Sequence, residues 1–252
     1  MGISSSYIEE IRDEFDFLPT WLPNTNLSLG DLVDLQGHRV RRVGSASDLG
    51  IIWEERNFPI ESILTYQTAN GVQVNNEASI NVNQETALAE VVTGGGGINI
   101  KFTQKNAIYV YLSGVKGRQI SSIHLLEQKI MSLAKTGVWN NKFAIVNEIV
   151  QADRSIILVG SGSGSHIELE GNGTLSQTSL SILPASASLG IKSEKDIGFK
   201  LISDGEITPL IRASGVRKLP FMDPRLCEMR STPETTLCFA EVGYDDYTLV
   251  NE

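Results

Sequence analysis

An alternation of apolar and polar residues from Val72 to Val82 constrains the fold of this chain more than any other feature. The apolar residues all occupy even positions, and polar residues fill the odd ones; the apolar set is Val72, Val74, Ala78, Ile80 and Val82. Successive side chains of a β-strand point to opposite faces, so a period of two predicts a strand with one apolar face. The stretch also matches the length of about 9–11 residues that a tilted membrane-spanning strand requires.

The same alternation returns after the glycine-rich stretch Thr93–Gly97, which indicates a long antiparallel hairpin. Its further apolar positions are Ile98, Ile100, Phe102, Ile108, Val110 and Leu112. A second hairpin system is predicted between residues 167 and 201 on the same grounds. Its apolar positions are Ile167, Leu169, Ala185, Ala187, Leu189, Ile191, Ile197, Phe199 and Leu201. These segments predict an α+β fold whose twisted central antiparallel sheet carries long hairpins.

Two amphipathic helices are expected to flank this sheet. Ser6 followed by Glu9 has the spacing of a capping box, which predicts a short helix over residues 6–16. A second helix is predicted over residues 120–135, because its apolar residues form one stripe and Gly137 follows its end.

Shorter patterns predict the remaining strands. Residues 32–35 and 39–43 have the form of a small hairpin, in which the basic run is solvated. The nearly continuous apolar runs at 143–150 and 155–159 are typical of buried strands, and a last strand is predicted at 210–216.

The composition of the chain argues against several classes of function. The chain has 252 residues, of which 41% are hydrophobic, and this is enough for a substantial core. Its formal net charge of −9 argues against nucleic acid as a partner, because phosphate binding needs clustered Lys and Arg. The sequence has neither a signal peptide nor a long apolar run, so we expect a cytoplasmic resting state.

No group of residues has the pattern of an active site. The three histidines, His38, His124 and His166, lack the spacing of metal ligands. The glycine-rich segment Gly160–Gly164 follows a predicted strand, as a phosphate-binding loop would, but the residues after it alternate like a strand. We therefore predict a protein that is not an enzyme and that uses no metal or cofactor. An enzyme whose catalytic groups are scattered along the sequence is the less favoured alternative.

The character of the sequence changes after Pro220, where prolines, scattered aromatic residues and acidic residues become frequent. This change predicts a domain of residues 1–219 followed by a C-terminal tail of residues 220–252. Because a purely solvated tail would contain fewer apolar groups, we expect part of it to dock on the sheet. Arg225 and Arg230 are candidate sites for a trypsin-like protease. The alternative is an ordinary C-terminal strand that completes the core.

The order of these elements resembles that of the gasdermins, and more closely that of the compact bacterial and fungal members. A short first helix and the Leu22-Pro23 strand entry precede a small hairpin, and two long hairpins separated by a helix follow. The segments that resemble the family most are INIKFTQKNAIYVYL (Ile98–Leu112) and DIGFKLISDGEITPL (Asp196–Leu210). The likeness covers most of residues 6–219 and depends on element order and alternation.

The resemblance implies a pore-forming executor of cell death in microbial, antiviral defence. It implies a resting monomer that a C-terminal segment keeps inactive until a protease releases that segment. The released domain would bind membrane lipids on the inner face of the cell membrane and oligomerise there into a β-barrel pore. A closed barrel satisfies the backbone polar groups in lipid while its strands present one apolar face outward. The residues predicted to face lipid are Val74, Ile80, Val82, Ile98, Ile100, Phe102, Val110, Ile167, Leu169, Leu189 and Phe199.

A second function class is consistent with the same alternation. Any antiparallel sheet with one solvated face shows this pattern. The rival prediction is therefore a non-enzymatic intracellular β-rich binding or scaffold module.

Overall fold

The computed structural model describes residues 2–36, 38–76, 97–171, 181–182, 189–219 and 236–244. Over these residues the fold is α+β, with two α-helices and mostly antiparallel strands, as the sequence predicts. The helices are α1 (Ile3–Phe15) and α2 (Ile123–Lys135), and a 3₁₀ turn spans Ala46–Leu49.

The described strands form three sheets. In chain order they are β1 (Leu18–Pro19), β2 (Asp31–Asp34), β3 (Arg41–Ser45), β4 (Glu55–Phe58), β5 (Ile63–Gln67), β6 (Val72–Asn76), β7 (Gly97–Phe102), β8 (Ile108–Ser113), β9 (Lys116–Ile120), β10 (Ala144–Ala152), β11 (Arg154–Gly160), β12 (His166–Gly171), β13 (Ser181–Ile182), β14 (Leu189–Lys195), β15 (Ile197–Ser203), β16 (Ile207–Leu219) and β17 (Thr236–Glu241). The large sheet is built on β1-β16-β10-β2-β3, to which β17, β9 and β4 are added. The central sheet has the order β13-β15-β11-β8-β5, and the hairpin sheet has the order β14-β12-β7-β6.

The first helix begins earlier than the capping pattern predicts. The N-cap of α1 is Gly2, and Ser6 lies inside the helix. Ser6 is buried, and its hydroxyl accepts a 3.2 Å hydrogen bond from the side-chain amide of Asn106. The capping-box prediction at Ser6 and Glu9 is therefore wrong, because Ser6 serves a tertiary contact to the loop before β8.

Most of the other predicted elements are confirmed. The second helix ends at Lys135, and Gly137 follows with a left-handed φ of +73°. The small hairpin is β2 and β3, whose arginines form ion pairs with aspartates on the facing strand: Arg41 with Asp34 and Arg42 with Asp31. The buried strands at 143–150 and 155–159 are β10 and β11, and the last predicted strand is β16.

Strands β8 and β11 of the central sheet are buried on both faces, which explains their nearly continuous apolar runs. In β8, Val110 points to the main core, whereas its neighbours Tyr109 and Tyr111 point to a second core beneath the hairpin sheet. In β11, Ile157 belongs to the main core and Leu158 to the second. A strand with two apolar environments has no polar face to alternate with.

The C-terminal segment is part of the large sheet. Strands β1 and β17 lie on the same edge of β16, β1 opposite residues 210–211 and β17 opposite residues 214–219. Beyond β17, Val242 and Tyr244 are buried in the main core. Part of the tail therefore lies on the sheet as a strand, an arrangement that fits both expectations for it, a docked inhibitory segment and a C-terminal strand that completes the core.

Candidate functional site

The two predicted hairpins lie side by side in one sheet. Strands β6 and β7 pair through Val74 and Ile100, β7 and β12 pair through Ile100 and Ile167, and β14 forms the far edge. All pairings within this hairpin sheet are antiparallel. Residues 77–96 connect β6 to β7, and residues 172–188, which include β13 of the central sheet, connect β12 to β14. The register places Gly97 opposite Glu170, so both connections leave the sheet at the same end.

The inner face of the hairpin sheet is apolar. Its residues are Val72, Val74, Ile98, Ile100, Phe102, Ile167, Leu169 and Ile191. They pack on the central sheet through a core whose other members include Tyr109, Tyr111, Ile156, Leu158 and Ile202. Burial raises the pKa of the Tyr109 phenol in this core.

The outer face of the hairpin sheet is polar. Asn99 donates a 2.9 Å hydrogen bond from its side-chain amide to Glu168 on the neighbouring strand. The ammonium of Lys192 lies 3.8 Å from the same carboxylate. A cleft of about 340 Å³ opens on this face, lined by Asn99, Lys101, Gly164, Ser165, His166 and Glu168.

The structure brings most of the predicted lipid-facing residues together on the inner face. They are Val74, Ile98, Ile100, Phe102, Ile167 and Leu169. Val74 is half-buried and the other five are fully buried, which confirms the expectation that these groups are covered in the folded protein. Leu189 begins β14 in the same sheet. Ile80 and Val82 lie outside the described residues, as do Arg225 and Arg230.

Two predicted members of the set lie elsewhere. Val110 belongs to β8, and Phe199 belongs to β15, so both are in the central sheet. Each faces the main core, where the Phe199 ring packs 4.8 Å from the ring of Trp21. The alternation identified their strands, but the structure assigns these strands to the layer beneath the hairpins.

The connections at the opposite end of the hairpin sheet are joined to one another by backbone hydrogen bonds. The backbone N–H of Thr103 donates to the carbonyl of Gly71, and that of Phe102 donates to the carbonyl of Ser165. The backbone N–H of Ser161 donates to the carbonyl of Asp196. These three bonds, of 2.8–3.0 Å, link all four chain segments where they pass from the hairpin sheet to the central sheet. The alternation after Gly160–Gly164 predicts a hairpin connection there, and this prediction is wrong: the segment joins β11 of the central sheet to β12 of the hairpin sheet, two strands that do not pair with each other.

A close contact explains the first glycine of that segment. A Cβ atom on Gly160 would lie 2.6 Å from the Phe102 ring, which is itself fully buried. Gly160 therefore allows β11 to pass beneath the base of the first hairpin. By contrast, a Cβ atom on Gly162 would meet nothing within 4 Å.

Sequence reasoning missed one charged contact between the two layers. Lys200 is only 4% exposed and forms an ion pair with Glu194 of β14. The sequence carries no signal of this contact, because Ile191 and Ile197 keep the same period of two, and the β-bulge between Ile191 and Ser193 appears only in the structure.

In the described part of the chain, no three His, Cys, Asp or Glu side chains are grouped so that they could hold a metal ion. No helix in the same ranges has the length and apolar character needed to cross a membrane.

No protein-family model matches the chain, and a search of curated proteins finds no match. The resemblance to the gasdermins therefore stays a prediction.

Proposed function

We propose that this protein is a gasdermin-like pore former whose two hairpins leave the central sheet, extend and pair between subunits in a membrane. The observation that carries the proposal is the hairpin sheet itself. Two adjacent antiparallel hairpins share one apolar inner face and one polar outer face, and their connections leave at the same end. A membrane β-barrel needs this polarity, with apolar side chains toward lipid and polar ones toward a lumen.

The lengths of the strands indicate what must change on activation. The four strands contain 5, 6, 6 and 7 residues, fewer than the ~9–11 that a spanning strand requires. Residues 77–96 and 172–188 would supply the rest. Their sequences continue the apolar positions of the inner face, with Ile80 and Val82 after Val74 in the first hairpin.

The energetics favour separation of the layers only at a membrane. Exposing a buried Val, Ile, Leu or Phe side chain to water costs about 1.5–3 kcal/mol. The inner face holds eight such residues, so the hairpin sheet stays on the central sheet in aqueous solution. Lipid tails offer an equivalent apolar environment, which offsets most of this cost.

In this proposal the resting protein is cytoplasmic, and its C-terminal segment restrains it. Cleavage near Arg225 or Arg230 would cut the chain between β16 and β17, so that β17 would no longer be covalently joined to the strand with which it pairs. The released domain would then bind membrane lipids on the inner face of the cell membrane and oligomerise with further copies. Cell death in microbial defence is the proposed outcome.

Dye leakage from liposomes tests this proposal. A recognition site for a specific protease is placed between residues 225 and 230, and the protein is compared before and after cleavage. We expect leakage from phosphatidylethanolamine–phosphatidylglycerol vesicles after cleavage only, and none when the unaltered chain meets the same protease. A cleaved protein that stays folded by circular dichroism but releases no dye contradicts the proposal.

The second candidate function is a binding module, and the cleft on the outer face favours it. Its volume of about 340 Å³ falls within the range of small-ligand pockets. Lys101 and His166, directly opposite each other in the register, would favour a small anion. Titration of the protein with inorganic phosphate, with Lys101→Ala as the comparison, separates this function from pore formation.

A further inference from the structure

An ion pair crosses the interface between the hairpin sheet and the central sheet, beside the apolar core that the two sheets share. Glu194 lies on β14 of the hairpin sheet, and Lys200 lies on β15 of the central sheet. Lys200 follows Glu194 by six positions along the chain. The chain passes between the two sheets at Asp196, which has a left-handed φ of 54°.

The register shows that Lys200 points into this interface. Its neighbour across the strands is Leu158, a member of the core beneath the hairpins. Ile202, two residues further along β15, belongs to the same core. The Lys200 side chain is only 4% exposed, so its ammonium depends on a protein partner for compensation.

A β-bulge turns Glu194 toward the same interface. On β14, Ile191 pairs with Leu169, and both are inner-face residues. The bulge adds one residue before Ser193, so that Glu194 comes to lie opposite Ile167, which also faces inward. Without the added residue, the alternation of the strand would place Glu194 on the polar outer face.

We propose that Glu194 and Lys200 form a charge latch that holds the base of the second hairpin on the central sheet. The regulatory role of the latch rests on the proposed pore-forming function. The attachment of the hairpin to the central sheet by this ion pair does not depend on that function. Separation of the two sheets would leave Lys200 on an apolar surface and carry Glu194 away with the hairpin. Because Glu194 is next to the last residue of β14, at the end opposite the connection 172–188, it would lie at the edge of a bilayer rather than inside it.

Removing one partner is expected to open the latch. Glu194→Gln keeps the shape of the side chain but leaves the Lys200 charge buried and uncompensated. Loss of one member of a buried ion pair is strongly destabilising, whereas replacing both members by apolar residues is often neutral or stabilising. Glu194→Leu combined with Lys200→Met is therefore expected to keep the sheets together.

Hydrogen exchange of the full chain, followed by mass spectrometry, measures the latch directly. In Glu194→Gln we expect exchange in β12 and β14 to rise about tenfold or more, with β10 and β16 unchanged. The double apolar variant should exchange at the wild-type rate or more slowly. Glu170→Gln, the same change on the outer face of β12 and outside the lining of the cleft, is the matched control and should leave exchange in β14 close to wild type. Unchanged exchange in β12 and β14 of Glu194→Gln overturns the latch.

Leakage from vesicles of phosphatidylethanolamine and phosphatidylglycerol then tests the proposed pore formation separately from the proposed latch. The proposal expects uncleaved Glu194→Gln to release dye and the double apolar variant to release it more slowly than wild type after cleavage. Faster exchange without leakage supports the latch and counts against the pore. If Glu194→Gln does not fold, the charge swap Glu194→Lys with Lys200→Glu decides: recovery of folding and of slow exchange supports the latch, and failure to recover them overturns it.

Discussion

The hydroxyl of Tyr244 donates a 2.7 Å hydrogen bond to the backbone carbonyl of Pro19, and both groups are buried. This bond joins the C-terminal segment to the N-terminal strand β1 where the two meet along β16. The N–H of Val242 donates to Ala213 beside it, so the segment after β17 is held by the backbone as well.

Tyr244→Phe is expected to loosen the C-terminal segment without unfolding the protein. The change leaves the Pro19 carbonyl without its donor, which costs about 1–3 kcal/mol for a buried group. Hydrogen exchange in residues 236–244 should become faster, and the free energy of unfolding in urea should fall by that amount. Tyr66→Phe, which removes a hydrogen bond to Glu10 on α1, is the control and should leave exchange at 236–244 unchanged. Equal exchange in Tyr244→Phe and wild type would show that the bond does not hold the segment.

A positive charge on the inner face of the first hairpin should block leakage. Val74→Arg places the charge on the predicted lipid-facing side, where Arg near the bilayer midplane costs about 2–4 kcal/mol and less near the interfaces. Because Val74 is only half-buried in the folded protein, the variant is expected to fold. Gln73→Arg is the matched control, since Gln73 is the adjacent residue and is exposed on the opposite face. Equal leakage from the two cleaved variants would argue against insertion through this hairpin.

Gly160→Ala is expected to destabilise the base of the hairpin sheet. The new methyl group would meet the buried Phe102 ring at 2.6 Å, and overpacking of this kind costs about 1–3 kcal/mol. Gly162→Ala, two residues away in open space, should change the free energy of unfolding by no more than about 0.5 kcal/mol. Urea denaturation of both variants gives the comparison, and the loss caused by Gly160→Ala should be smaller when it is measured in a Phe102→Leu background, because the shorter side chain leaves room for the methyl group. Similar losses in both alanine variants would contradict this account of Gly160.

Three buried tyrosines predict a loss of stability in alkaline solution. Burial raises the pKa of Tyr7, Tyr109 and Tyr244 above their unfolded value of 10.0. Above that pH the unfolded chain releases these protons while the folded protein retains them, so the free energy of unfolding falls as pH rises. Each tyrosine contributes a slope of up to about 1.4 kcal/mol per pH unit, and none of this loss is present below about pH 9.

Urea unfolding between pH 8 and pH 11 measures this slope, and Tyr7→Phe serves as the comparison. Phenylalanine does not titrate, so the variant should have a shallower decline than wild type above pH 10. Identical slopes would show that Tyr7 does not contribute to alkaline unfolding.

Local patterns in the sequence predicted most elements of the fold. Period-two alternation identifies strands because side-chain direction follows from the backbone alone. The apolar stripe placed α2 on the sequence for the same reason. Gly137 located its end, because a glycine readily adopts the left-handed φ that follows the last turn of a helix. The capping pattern at Ser6 was misleading because a hydroxyl can bond to a distant residue, here Asn106, instead of its own helix.

The sequence by itself determined which residues of each strand share a face, and for the hairpins it therefore separated the apolar side from the polar side. Only the tertiary structure decided what each face packs against. Ile100 and Val110 follow the same alternation, yet one faces the core beneath the hairpins and the other faces the main core. Strand pairing between distant segments makes that choice, and no local period encodes it. The contact between Glu194 and Lys200 has the same origin, since a single added residue in β14 and the stacking of two sheets bring the charges together.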